Sequence, residues 1–131
     1  VYAHEGLDEH PDKWRASYAD RPTFVFSTRD LPVPDGLNIR VVRGAVDDHF
    51  DDIAAAAGEG SVWVVGGGDL AGQFYDAGRL NEVRLSIAPV TLESGAPVLP
   101  RRIESEALHL TSAQAHGQFV EAHYEVRYPR L

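Results

Sequence analysis

Cysteine and methionine are both missing from the 131 residues, and Lys and Arg together number only 12 against 20 Asp and Glu. Without cysteine there is no disulfide framework and no thiolate metal site, which fits a cytoplasmic protein. A translated chain starts with methionine, so the expectation is that upstream residues have been removed and that Val1 is an interior position of a longer parent. Long apolar runs are absent too. The longest dense one, Ser61–Val65, is strand-sized, far short of the ~20 residues of a membrane span. No basic stretch followed by an apolar one opens the chain, so no secretory signal is visible. The net charge is −8, and no patch of basic residues interleaved with aromatics appears. General nucleic-acid binding is therefore not expected, and an anionic ligand must be held by local features working against the overall field.

What is present describes an ordinary globular chain, 44% hydrophobic and 24% charged, with room for one domain over residues 1–131. Residues 1–22 are polar and without a clean period, compatible with the end of a helix and a loop. Thr23–Phe26, β-branched and aromatic, reads as a strand bounded by Pro22 and Ser27, and Asn38–Val42 reads as a second. Asp47–Ala57 predicts a helix with Asp47 or Asp48 as N-cap, Asp51 and Asp52 near its positive end, and Gly58 as its stop. Val62–Val65 is apolar on both faces, which predicts a strand covered on each side. Asp69–Ala77 predicts a helix ended by Gly78. Val83, Leu85 and Ile87 alternate with polar residues in a strand ending near Pro89. Leu108 and Leu110 lead through a turn at His116-Gly117 to a strand carrying Val120, Ala122, Tyr124, Val126 and Tyr128 on one face, an antiparallel hairpin. The predicted class is α/β with a mixed sheet.

The strongest local signal is the run of three glycines, Gly66-Gly67-Gly68, between the apolar run and a helix. Glycine removes Cβ, so a ligand can approach the backbone closely, and the unpaired amides that open a helix favour an anion. A cofactor diphosphate is the natural occupant; a tight turn with close helix packing is the plainer alternative. Asp69 works against the first reading unless its carboxylate turns away. The spacing Gly66-x-Gly68-x-x-Ala71 also matches a Rossmann fingerprint. That match is poorer, because two strands precede it and the acidic residue expected about 20 positions on falls near Ser86. A second signal is Ser27-Thr28-Arg29 at the end of the first strand. Two hydroxyls and a guanidinium suit a phosphate monoester, although from the tripeptide alone an ordinary solvated loop is the favoured reading. Arg43, after the second strand, could assist.

Together these segments resemble the dihydrofolate reductase-like superfamily, and within it the riboflavin-biosynthesis reductase branch and its bacterial relatives. The resemblance runs from about Pro22 to the C-terminus and is most specific over VWVVGGGDLAGQFYDAGRLNEVRLSIAPVTLESGAPVLP, residues 62–100. It follows the family order: apolar strand, Gly66–Gly68, helix ending Ala77-Gly78, Glu82, Pro89-Val90, and a Gly/Pro loop from Gly95 to Pro100. Asn81 replaces one acidic residue, Arg79 replaces an apolar one, and Glu93 stands where glycine is common. The resemblance implies a three-layer fold with a mixed central sheet and a C-terminal antiparallel hairpin, and a homodimer. It implies NADPH as cofactor, with Gly66, Gly67, Gly68, Asp69 and Leu70 on its phosphates and ribose and Gln73 in support. Ser27, Thr28 and Arg29 would hold the 2′-phosphate end. The implied activity is hydride transfer to a pterin- or pyrimidine-like heterocycle, the alternative being a non-catalytic nucleotide-binding or oligomer-forming homologue. The family's opening strand, substrate loop and Gly-Arg-x-Thr motif are not in this sequence, so catalytic residues cannot be assigned. That strand would lie between the segments at 62–65 and 83–90, and without it their buried backbone groups lack partners at about 1–3 kcal/mol each.

Other clusters carry less. None of the six histidines falls in a metal-ligand spacing, so no metal is expected. Asp47, Asp48, Asp51 and Asp52 are accounted for by the helix dipole, and Ser27 lacks the setting of a nucleophile.

Overall fold

Short β-branched and aromatic runs become strands here only where a neighbour supplies hydrogen bonds. The computed structural model describes residues 10–130, which divide into two compact units, one running to Trp63 and the other starting at Val64. In the first unit, α1 (Pro11–Tyr18) opens on a proline, whose fixed φ and missing N–H suit a helix start. None of its residues is buried, although the rings of Trp14 and Tyr18 lie 4.5 Å apart. The structure of residues 1–9 lies outside the described residues, and with it His4.

Strands β1 (Thr23–Phe26) and β2 (Ile39–Val42) pair in parallel, with Thr23 opposite Ile39 and Phe26 opposite Val42. A parallel pair needs a crossover connection. Here it is a loop of 12 residues carrying Pro32, Pro34 and Gly36. Helix α2 (Val46–Ala57) follows and buries Val46 and Ile53, seven apart on one helical face. Its N-cap is Ala45, not Asp47 or Asp48 as expected. The Asp48 carboxylate instead accepts the Ala45 amide at 3.0 Å, which places that acid inside the first turn rather than before it.

Val62–Val65 is a correction to the sequence reading. It forms no strand, and Val62, Trp63 and Val65 are 40%, 70% and 58% exposed. β-propensity makes a segment extended, but only a hydrogen-bonded neighbour makes it a strand. Tyr18 lies against Trp63, with ring centroids 6.5 Å apart. The two segments that the sequence reading leaves without a neighbour meet different fates. Among the described residues, 62–65 pair with no strand, and the strand beyond them pairs along one edge only.

In the second unit, helix α3 (Gly68–Asp76) leads to a three-stranded antiparallel sheet in the order β3 (Glu82–Ile87), β5 (Phe119–Val126), β4 (Leu108–His116). The predicted hairpin is present: His116 pairs with Phe119 across Gly117-Gln118, and Gly117 takes φ 61°. A register shift between Leu110 and Ser112 leaves Thr111 as the extra residue. The end of α3 is equally legible. Gly78 adopts φ 72°, its amide donates to Tyr75 O and the Arg79 amide to Phe74 O, the two bonds of a Schellman stop. Phe74, Leu80, Ala122 and Val126 are buried. The Tyr128 hydroxyl accepts the Leu80 amide at 3.0 Å and donates to the Leu80 carbonyl at 2.9 Å. Its ring stacks on Tyr75 at 5.3 Å. Because this one hydroxyl satisfies both backbone groups of a buried residue, Tyr128→Phe is expected to cost about 1–3 kcal/mol, read as a lower urea midpoint at unchanged slope.

Candidate functional site

The glycine loop leads into α3 through an extended Gly67 at φ −89° and ψ −177°, which serves as N-cap. The peptide between Gly66 and Gly67 is cis. Among the described residues, the amides of Gly66, Gly67, Gly68, Asp69 and Leu70 donate to no protein acceptor, and the first bonded amide is that of Ala71, to Gly67 O. Gly66 and Gly67 face open space, since a Cβ on either would meet nothing within 4 Å. Five amides without an acceptor among the described residues thus lie in sequence at a helix N-terminus whose first two glycines are exposed, a composition that suits an anion.

The three glycines are not equivalent. A Cβ on Gly68 would lie 2.5 Å from Pro97 O, 2.8 Å from Val98 O and 3.1 Å from Pro100 Cδ. Gly68 therefore serves the packing of the Gly/Pro loop on the helix, the plainer of the two roles the sequence allowed. Gly66 and Gly67 have no such packing duty.

Asp69 is the acid that threatened the site, and its charge is compensated. Oδ2 accepts Gln73 Nε2 at 2.9 Å, and Oδ1 faces both terminal nitrogens of Arg101 at 3.4 Å. Arg101 Nε donates to Asp76 at 2.8 Å and Nη1 to Pro100 O at 2.8 Å. The hydrogen bond from Gln73, and then Arg101, hold the Asp69 carboxyl below its ordinary range; the bond to Asp76 is the main cause raising the Arg101 guanidinium. For a carboxyl whose folded pKa is depressed, the stability it contributes is present above the unfolded pKa and is lost as pH falls through the folded one. The unfolded value is 3.8, so the gap between wild type and Asp69→Asn in urea midpoint is expected to close below that pH.

Gln73 reaches Asp69 from one turn inside the helix, and Leu70 is half-buried. The other predicted segment lies in the first unit. The Ser27 amide continues the β1–β2 ladder to Val42 O, and the Ser27 hydroxyl accepts the Arg29 amide at 3.1 Å. Thr28 and Arg29 are exposed. Among the described residues the Arg29 guanidinium has no partner, whereas Arg43 is engaged by Asp30. Arg43 is therefore committed where Arg29 is available. No group of three His, Asp or Glu that could hold a metal exists among the described residues, and no helix there is long and apolar enough to cross a membrane.

Sequence reasoning missed Arg101, Asp76 and Gly72. The helix half of the signal was legible. Asp69, Gly72, Gln73 and Asp76 fall at i, i+3, i+4 and i+7, one polar stripe with a glycine in the helix interior. Its partner, 25 residues beyond Asp76, was not.

The model of the RibD C-terminal domain family matches residues 9–120. The chain belongs to this family. The RibD C-terminal domain is the reductase domain of riboflavin biosynthesis and has the dihydrofolate reductase-like fold. A crystal structure of a proposed riboflavin biosynthesis protein from Shewanella sp. PV-4 shares the fold, with a TM-score of 0.70 at 19% identity over 95% of this chain and 71% of the other. An uncharacterized protein of Bacillus subtilis (strain 168), YwjB, is 26% identical over 64% of this chain. The chain spans 56% of that relative's length.

Proposed function

We propose that this chain is the cofactor-binding part of an NADPH-dependent reductase that reduces a small pterin- or pyrimidine-like heterocycle. The observation that carries the proposal is the set of five undonated amides at residues 66–70 beside two glycines with open space. In this reading the amides and the helix dipole hold the diphosphate. Gly66 and Gly67 allow close approach. Arg29, exposed and without a partner among the described residues, binds the 2′-phosphate with Ser27 and Thr28 by charge-assisted hydrogen bonds. The bound cofactor supplies hydride, and the chain's residues supply orientation and charge. Membership of a reductase family supports the activity, and the same reading includes a homodimer in the cytoplasm.

The test is titration with NADPH and NADH, followed by nicotinamide fluorescence, on wild type and Arg29→Ala. NADPH is expected to bind, with affinity falling about tenfold or more in the variant, because a guanidinium–phosphate pair is lost, while NADH is unaffected. Equal loss for both cofactors would remove Arg29 from the 2′-phosphate. Binding without oxidation of NADPH across a panel of heterocycles would favour a non-catalytic nucleotide-binding module.

A further inference from the structure

A dianionic ligand at the glycine loop faces an immediate obstacle. Asp69 is the second residue of α3 and sits among the free amides, in a chain of net charge −8. Its charge opposes the ligand at a separation where like charges still interact appreciably. The obstacle is met by one residue. The Arg101 side chain is only 23% exposed and lies flat along the helix, over Gly72. A Cβ there would fall 2.5 Å from Arg101 Cζ, 2.7 Å from Nη1 and 2.9 Å from Nη2. The helix has a notch where the guanidinium sits.

The bonds around that guanidinium are unequal. Nε is anchored to Asp76 at 2.8 Å, and Nη1 is tied to Pro100 O at 2.8 Å, while the contacts to Asp69 are longer at 3.4 Å. Asp76 and the loop fix where the group sits, and from that place its terminal nitrogens face Asp69. A surface ion pair alone would not need a glycine inside a helix, a position that disfavours helix formation relative to alanine.

We infer that Arg101 is a positioning residue of the diphosphate site, seated in the notch left by Gly72, where it offsets part of the charge of Asp69 and keeps the glycine-loop amides open to an anion. The inference rests on the proposed diphosphate site and assigns it a part that the glycines alone do not supply. It also gives Gly72 its purpose.

The experiment measures ADP-ribose binding to the full chain by calorimetry, with circular dichroism confirming the fold of each variant. This probe carries the diphosphate but neither the 2′-phosphate nor the nicotinamide. Wild type binds. Arg101→Gln is expected to weaken binding about tenfold, because an uncompensated carboxylate then faces the dianion. The double variant Asp69→Asn/Arg101→Gln is expected to return to within about threefold of wild type, since removing the opposing charge makes its partner unnecessary. Gly72→Ala, which keeps every charge but displaces the guanidinium, is expected to weaken binding as Arg101→Gln does. Undiminished binding by Arg101→Gln overturns the inference and leaves the diphosphate site standing. A loss that Asp69→Asn does not recover also overturns it, because a purely structural latch would behave that way. Failure of wild type to bind overturns the diphosphate site itself, and the inference with it.

Discussion

Gly68→Ala is expected to destabilise the protein by about 2 kcal/mol, the cost of forcing an atom into a packed contact. The added Cβ would meet two backbone carbonyl oxygens, of Pro97 at 2.5 Å and Val98 at 2.8 Å. Neither is the end of a flexible side chain, so relief requires the Gly/Pro loop to move off the helix. That movement would also strain the Arg101 bonds to Asp69 and Asp76, which hold the same loop from the other side of its sharp turn at Leu99–Arg101. Urea unfolding followed by circular dichroism reads the effect as a lower midpoint. An unchanged midpoint would mean that the loop approaches the helix less closely in solution.

One position earlier, the same substitution should behave in the opposite way. Gly67→Ala adds its Cβ to open space at an extended backbone position that alanine adopts freely. The fold should tolerate it, with a change of less than about 1 kcal/mol for alanine at an N-cap. Ligand binding should not. The Cβ occupies the approach that makes five amides reachable, so ADP-ribose and NADPH are both expected to bind about tenfold weaker or worse, as unmade hydrogen bonds to a charged group imply. The pair is diagnostic because stability and binding separate across two adjacent glycines. If Gly67→Ala binds as wild type does, the glycine run is a turn and nothing more, and the proposed function loses its main support.

The same glycines mark the boundary between what could be read and what could not. In the sequence, Gly66, Gly67 and Gly68 are three identical letters between an apolar run and a helix. Their shared role as a loop opening a helix was legible, because chain punctuation by glycine is local. Their division of labour was not. It depends on where residues 97–100 return, some 30 positions later. Asp69 shows the same limit. Its proximity to the proposed anion was visible, and its partner was not, because Arg101 is brought to it only by the return of the chain after β3.

Val62–Val65 shows the converse. Four apolar residues in a row read as a covered strand, yet the chain there forms no strand with any described residue, and Val62, Trp63 and Val65 are exposed. Propensity is a property of the segment, whereas a strand is a property of two segments.

The amino-acid sequence by itself determined the elements whose signals are local. Among these are the parallel pair's two β-rich runs, the helix stops at Gly58 and Gly78, the hairpin turning at Gly117, the absence of thiol chemistry, and a glycine loop suited to an anion. Only the tertiary structure decided which glycines are open and which are packed, that Arg43 is bound to Asp30 while Arg29 has no partner among the described residues, and that Arg101 faces Asp69. Local conformation follows from each residue's own sterics and its near neighbours. Charge compensation and close approach depend on groups that only folding brings within a few ångströms of one another.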